Sequence, residues 1–200
     1  MKWIGLTGGI ASGKTTVANG LRSRGFDVVD ADQLARLAVE RGSPGLEKVA
    51  KAFGQKILDS KGDLDRAKLG SLIFSNPDQR LTLESIVHPE VRRLSLIEKK
   101  RLESEGKKFA FYDVPLLYEK NMEKMFDAVV VVASSEDLQK SRLAARNQLS
   151  EKEVQARLAS QMPLKIKIPK ADFIIANEGS LNDLDRNIDL VLKAIANKFE

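Results

Sequence analysis

The chain has 200 residues, 42% hydrophobic and 30% charged, with a net charge of +5. That balance gives a globular domain with a sizeable core and excludes a disordered chain. The absence of cysteine excludes disulfides, thiolate metal sites and cysteine nucleophiles, and no apolar run approaches the roughly 20 residues of a membrane helix.

The opening "MKWIGLTGG" is too short an apolar run for a secretory leader, so a cytoplasmic protein is expected. Its strand "KWIGLT" leads into "GLTGGIASGKTT", in which Gly8, Gly13, Lys14 and Thr15 fill the pattern G-x-x-x-x-G-K-[ST]. Backbone N–H groups of such a loop wrap the β-phosphate of a nucleoside triphosphate. The following helix, expected from Lys14 to about Arg24, adds the positive end of its dipole. Lys14 reaches the β/γ oxygens, and the Thr15 hydroxyl ligates Mg²⁺. An apolar strand before the loop and an amphipathic helix after it are the context this mechanism requires.

The second strand, "FDVVD", runs into "ADQLA". Carboxylates at the C-terminal ends of parallel strands face the ligand crevice. Asp30 suits a helix cap, which leaves Asp32 as the candidate to orient an acceptor hydroxyl and take its proton. From about Gly45 to Gly106 only helical segments are expected. Asp65 caps "RAKLGSLIF", Pro77 opens a further helix and Pro89 stands at the first position of a third. The single histidine, His88, lies just before that proline, where a structural role competes with contact to a ligand.

The third strand, "KFAFYD", ends in Asp113, an apolar strand closed by a carboxylate that can support Mg²⁺ and its waters. "VPLLYE" follows, and Pro115, Leu116, Leu117 and Tyr118 would expose apolar bulk unless they cover something. After the strand "DAVVVVA", residues 134–170 carry eight Lys/Arg against four acidic residues, with two helices. Ser150 and Glu153 form a capping box for the second, which Pro163 closes. Arg142 and Arg146, four apart, share a helical face. They can clamp a transferring phosphoryl group from a mobile lid or serve as surface ion-pair partners; spacing leaves both open. "DFIIA" is the fifth strand, and a last helix starts at Ser180.

The order argues for an α/β chain with a five-stranded parallel sheet flanked by helices. Its expected parts are a core of about residues 1–44, 107–133 and 171–200, a helical insert of about 45–106 and a lid of about 134–170. A guanine-reading N-K-x-D motif is missing, so a small phosphotransferase that excludes water from ATP fits better than a GTPase.

With these pieces together, the chain resembles the dephospho-CoA kinase family along nearly its whole length. The resemblance is carried by "GLTGGIASGKTT", "DADQLAR", "HPEVR", "DVPLLYE", "SRLAARNQLSEKEVQARLASQ" and "ADFIIANEGSL" in order. It implies a P-loop kinase fold with a helical coenzyme-binding insert and a lid. It also implies transfer of the ATP γ-phosphate to the ribose 3′-hydroxyl of dephospho-CoA, with Mg²⁺. The implied ATP contacts are Gly8, Gly9, Ala11, Ser12, Gly13, Lys14, Thr15 and Thr16, with Asn177 near the adenine. Asp32 is the implied base, and Arg142 and Arg146 are lid arginines. Asp113, Leu116, Leu117 and His88 lie toward the acceptor, and Thr15 and Asp113 toward the metal. The family usually has Gly where Ala11 stands, a change tolerable if φ is negative, and often Asp where Ala176 stands. "KIKIPK" also departs from its pattern. The implied partners are ATP and dephospho-CoA, with no nucleic acid and no membrane, in a monomer or small homo-oligomer. Two rivals remain: a nucleoside or nucleotide kinase on this scaffold, and a nucleotide-gated nucleic-acid or protein-binding module, suggested by the basic charge and recognisable by salt-sensitive binding.

Overall fold

The computed structural model describes residues 1–74 and 76–199. The chain divides into two compact units, one made of residues 1–29 and 102–200 and the other of residues 30–101.

The first unit is built on a five-stranded parallel sheet, with strands β1 (Lys2–Gly8), β2 (Asp27–Asp30), β3 (Phe109–Asp113), β4 (Ala128–Ala133) and β5 (Phe173–Ala176) in the order β2-β3-β1-β4-β5. The three internal strands are almost wholly buried, β4 without a single exposed position, because helices cover both faces of a parallel sheet. The chain turns from one side of β1 to the other between β3 and β4. The C-terminal end of β1 therefore lies at the switch point where such sheets open a ligand crevice. Helix α1 (Lys14–Ser23) buries Val17, Ala18 and Leu21, and α9 (Leu181–Phe199) buries Leu184, Ile188 and Ile195, against Ile4, Leu6, Phe111, Val130 and Ile175. Each such side chain contributes about 1.5–3 kcal/mol when taken from water.

The 134–170 segment forms α6 (Glu136–Asn147), α7 (Glu151–Ala159) and α8 (Leu164–Lys167). The Ser150–Glu153 capping box starts α7, as the spacing predicts. Pro163 does not close that helix, which has already ended. It caps α8 instead, where its fixed φ suits a helix start.

The second unit is helical, with α2 (Ala31–Leu37), α3 (Pro44–Phe53), α4 (Arg66–Phe74) and α5 (Pro77–Ser104). Val39, Val49, Ile57 and Leu69 form its own core, with Leu83, Ile86 and Val87 packed against it. The Asp65 carboxylate accepts from the Lys68 N–H at 3.0 Å, the expected cap of α4. One expectation fails. Pro89 does not begin a helix but lies inside α5, a single helix of 28 residues. Proline takes one donor from the helical ladder at Ser85. The helix continues: Leu83, Ile86 and Val87 before the proline pack on the core of the unit, and Glu90 after it is tied to Lys48 of α3 at 2.8 Å and to Arg93 one turn on at 2.9 Å.

Candidate nucleotide site

The glycine loop joins the end of β1 to α1 at the switch point. Gly13 precedes the helix at φ 93, in the left-handed region. A Cβ there would lie 2.1 Å from the Asn177 amide nitrogen, so both conformation and contact require glycine. Ser12 N–H donates to the Gly9 carbonyl at 3.1 Å, which tightens the loop. The Ser12 hydroxyl is buried without a protein partner.

Lys14, in the first turn of α1, forms an ion pair with Asp113 at the end of β3, whose side chain is 6% exposed. The pairing follows from sheet register, since Leu6 of β1 lies opposite Asp113. Loop cation and strand carboxylate thus stand together, as the sequence pattern requires. Thr15 and Thr16 are exposed on the opening turn. A hydroxyl and a carboxylate are hard oxygen donors of the kind Mg²⁺ takes while it keeps waters and phosphate oxygens. Thr15 and Asp113 therefore fit that ion.

Ala11 has φ 57. The condition for tolerating a methyl there, a negative φ, is not met, and the residue holds a left-handed conformation that costs an L-amino acid about 1–2 kcal/mol. Asn177, just after β5, is buried and braces the loop. Its side-chain amide donates to the Ser12 carbonyl at 2.8 Å, and its N–H donates to the Ala133 carbonyl at 2.8 Å.

From α6, Arg142 donates through Nη2 to the Asn177 carbonyl at 3.1 Å, while its Nη1 is buried without a partner. Arg146, one turn on, is exposed and donates to the Asn147 side chain at 3.0 Å. Neither arginine pairs with a carboxylate among the described residues. Gly9 and Ile10 also border a hollow of about 420 Å³ with Gln139, Leu158, Met162 and Leu164.

The "VPLL" segment covers its own sheet. Leu117 is wholly buried, so close to β1 that a Cβ on Gly5 would meet its Cδ1 at 2.7 Å, and Tyr118 is buried beside it. Burial, with the charges of Asp172 and Glu123, pushes the Tyr118 phenol up to about 12. Pro115 and Leu116 are the half-buried members of the segment.

The sequence gives no hint of Lys167. It is 0% exposed, with its ammonium 2.8 Å from a Glu119 carboxylate oxygen, and it donates to the Gly8 carbonyl at 3.1 Å and the Pro115 carbonyl at 3.4 Å.

In the second unit, the Asp30 carboxylate accepts from the N–H groups of Asp32 and Gln33 at 2.8 and 3.1 Å, capping α2. The Asp32 carboxylate is left exposed in the first turn. His88 is exposed in mid-helix. A hollow of about 380 Å³ is lined by Arg36, Arg41 and Arg66 together with Glu40 and Asp63, over Leu37, Val39 and Leu64, and Arg41 pairs with Asp63 at 3.7 Å. No helix among the described residues is long and apolar enough to cross a membrane.

A family profile described as Dephospho-CoA kinase matches residues 2–183. The chain belongs to the dephospho-CoA kinase family. Named dephospho-CoA kinases resemble it over their length: one from Anaeromyxobacter dehalogenans is 48% identical, covering 96% of this chain and 91% of the relative. One from Bdellovibrio bacteriovorus is 45% identical, covering 96% of each. The solved dephospho-CoA kinase of Campylobacter jejuni superposes with a TM-score of 0.76 at 31% identity, covering 98% of each chain. A Thermus thermophilus structure gives 0.79 at 40% identity, covering 96% of this chain and 97% of the other. A shikimate kinase from Acinetobacter baumannii, at 17% identity and a TM-score of 0.52, shares the P-loop kinase fold alone. In the first unit, then, the glycine loop, Lys14 and Asp113 stand together at the C-terminal end of β1.

Proposed function

We propose that the chain transfers the γ-phosphoryl group of ATP to the ribose 3′-hydroxyl of dephospho-CoA, releasing ADP and coenzyme A, the last step of coenzyme A synthesis. The observation that carries this reading is the family match over residues 2–183, and the geometry of the glycine loop accords with it.

The loop from Gly8 to Thr16 receives the phosphates on its amides, and Lys14 neutralises charge on the β- and γ-oxygens. In this structure Asp113 holds the Lys14 ammonium beside the loop. Mg²⁺, held by Thr15 with Asp113 in support, would neutralise charge on the phosphate oxygens when bound. The unpartnered Nη1 of Arg142 and the exposed guanidinium of Arg146 offer donors to the equatorial oxygens of the phosphoryl group in flight. Asn177 keeps the loop in shape on the side where the adenine is expected. Asp32 orients the acceptor 3′-hydroxyl and takes its proton as the new P–O bond forms and the bond to the β-phosphate oxygen breaks.

Support for a diphosphate-bearing acceptor comes from the three arginines that line the hollow of the second unit. Arg36 stands one helical turn beyond Asp32 on the same face of α2, and Arg41 and Arg66 line the same hollow. Guanidinium forks match phosphate oxygens in pairs, so a ribose held at Asp32 would carry its 5′-diphosphate toward them. Leu116 and His88 keep the acceptor-side roles that the family resemblance implies for them.

The test mixes purified protein, ATP and Mg²⁺ with dephospho-CoA, with each common nucleoside monophosphate, or with nucleic acid, and follows ADP and product mass. A gain of one phosphoryl group on dephospho-CoA alone is expected, and its absence rejects the reading. Asp32→Asn should lower turnover by roughly 10²–10⁴-fold if the carboxylate is the base, with ATP binding nearly intact. Loss of ATP binding instead would place Asp32 at the metal.

A further inference from the structure

A lysine ammonium sealed from water is costly unless every donor is met and a counter-charge is at hand. Lys167, at the end of α8, meets that requirement. Its three N–H groups face three acceptors: the Glu119 carboxylate at 2.8 Å, the Gly8 carbonyl at 3.1 Å and the Pro115 carbonyl at 3.4 Å. The side chain is 0% exposed. Each acceptor belongs to a different part of the nucleotide end. Gly8 is the first residue of the glycine loop. Pro115 follows Asp113, the partner of Lys14, by two residues, and its carbonyl also accepts from the Thr7 hydroxyl at 3.2 Å. Glu119 in turn accepts from the Met162 N–H at 2.9 Å, which fixes the turn that leads into α8.

Adhesion alone does not account for this arrangement. Well-packed apolar side chains of the same volume usually serve a fold as well as a buried ion pair does. What an ammonium can do and an apolar side chain cannot is orient a peptide group. The Gly8–Gly9 peptide is trans, as are all the described peptides, so its C=O and N–H point in opposite directions. Holding the Gly8 carbonyl toward Lys167 therefore turns the Gly9 N–H the other way. That fixes the first peptide of the loop whose amides wrap the phosphates. Leu164, one turn earlier on α8, lies so close to Gly9 that a Cβ there would be 2.9 Å from its Cγ, so the same short helix sets both the orientation and the packing of that peptide.

We infer that Lys167, held by Glu119, is a positioning residue for ATP: from α8 it fixes the first peptide of the glycine loop and ties it to the strand-end loop that follows Asp113. The inference rests on the reading of residues 8–16 as the ATP loop and goes beyond it in giving α8 a task in catalysis.

The test compares the wild-type protein with Lys167→Met, Glu119→Gln and the double variant. The readouts are melting temperature, kcat and KM for each substrate, and calorimetric binding of a non-hydrolysable ATP analogue. Lys167→Met alone should melt lower, because it leaves the half-buried Glu119 carboxylate without its counter-ion. It should also lose kcat on the order of 10²-fold, the scale on which small misplacements act, with weaker analogue binding and little change in dephospho-CoA KM. The double variant removes the orphan charge and should regain the melting temperature without regaining kcat or analogue affinity. Recovery of all three in the double variant would reduce Lys167 to a counter-ion for Glu119 and overturn the inference. So would unchanged kinetics in a folded Lys167→Met protein, or failure of the double variant to fold. Absence of analogue binding by the wild-type protein would instead reject the ATP-loop reading itself.

Discussion

The methyl group of Ala11 occupies a backbone conformation, φ 57, that glycine adopts freely and an L-residue only at a cost. Ala11→Gly should therefore relieve left-handed strain of about 1–2 kcal/mol while returning some conformational freedom to the unfolded chain. A net gain of up to about 1 kcal/mol is expected, or about 2–4 °C in melting temperature for a chain of this size. Urea and thermal melts of the two proteins measure it, and a destabilised variant would show that the methyl packs more favourably than its φ costs. Residues of this kind mark where the sequence was legible. Lys14, Thr15 and Asp113 announce themselves because phosphate and metal chemistry restricts their identity and spacing. That Asp30 and not Asp32 caps α2 was also visible, because a helix start needs one cap and no more. Lys167 was not visible, since nothing in local spacing distinguishes a buried lysine from a solvated one. Its burial comes from Glu119, Gly8 and Pro115, which are far from it along the chain. Arg142 lay between these cases: helical spacing put it on a face with Arg146, but only the fold turned it toward Asn177.

At the scale of elements, strands and caps followed from local pattern, and the two misread places were both prolines. The local pattern reads Pro163 as a helix stop and Pro89 as a helix start. The first caps α8 and the second sits within α5, where Glu90 ties the chain beyond it to Lys48 and Arg93. Those pairs have a consequence for acid stability. The Lys48 and Arg93 side chains hydrogen-bond the Glu90 carboxylate and hold it below its ordinary value of 4.5. A carboxylate whose value is lower in the folded state stabilises that state fully above its unfolded value, and the contribution disappears as pH falls through the folded one. Melting temperature should therefore drop as pH is lowered beneath about 4.5, and Glu90→Gln should flatten that limb while lowering stability near neutrality. Two curves of equal steepness would remove Glu90 as a source of the acid limb. Lys48 and Arg93 are more than half exposed on their side chains, so salt should weaken the effect.

For the whole molecule, the helical stretch read from residue 45 onward shares its compact unit with α2, so the unit begins at residue 30. The sequence pattern groups α2 with the strand before it and starts the helical insert near residue 45. Packing sets the boundary by which apolar faces meet, and Val39, just beyond α2, belongs to the core of α3 and α4. Two separate cores permit two sub-global openings, and ATP binding can tell them apart. Residues 8–16, Asp113, Arg142, Lys167 and Asn177 all belong to the unit of residues 1–29 and 102–200. Openings that destroy this loop must release ATP, so nucleotide at 100 times its dissociation constant opposes them by about 2.7 kcal/mol. Amide hydrogen exchange in β1, β3, β4 and α1 should then slow by roughly 100-fold. The amides of α3, α4 and the Leu83–Val87 stretch of α5 should keep their rates if their unit opens on its own. Equal slowing in both units would mean that they open as one. Dephospho-CoA added next should slow the amides of α2, where Asp32 and Arg36 are assigned to the acceptor, and protection that stays confined to the first unit would move the acceptor site away from that helix.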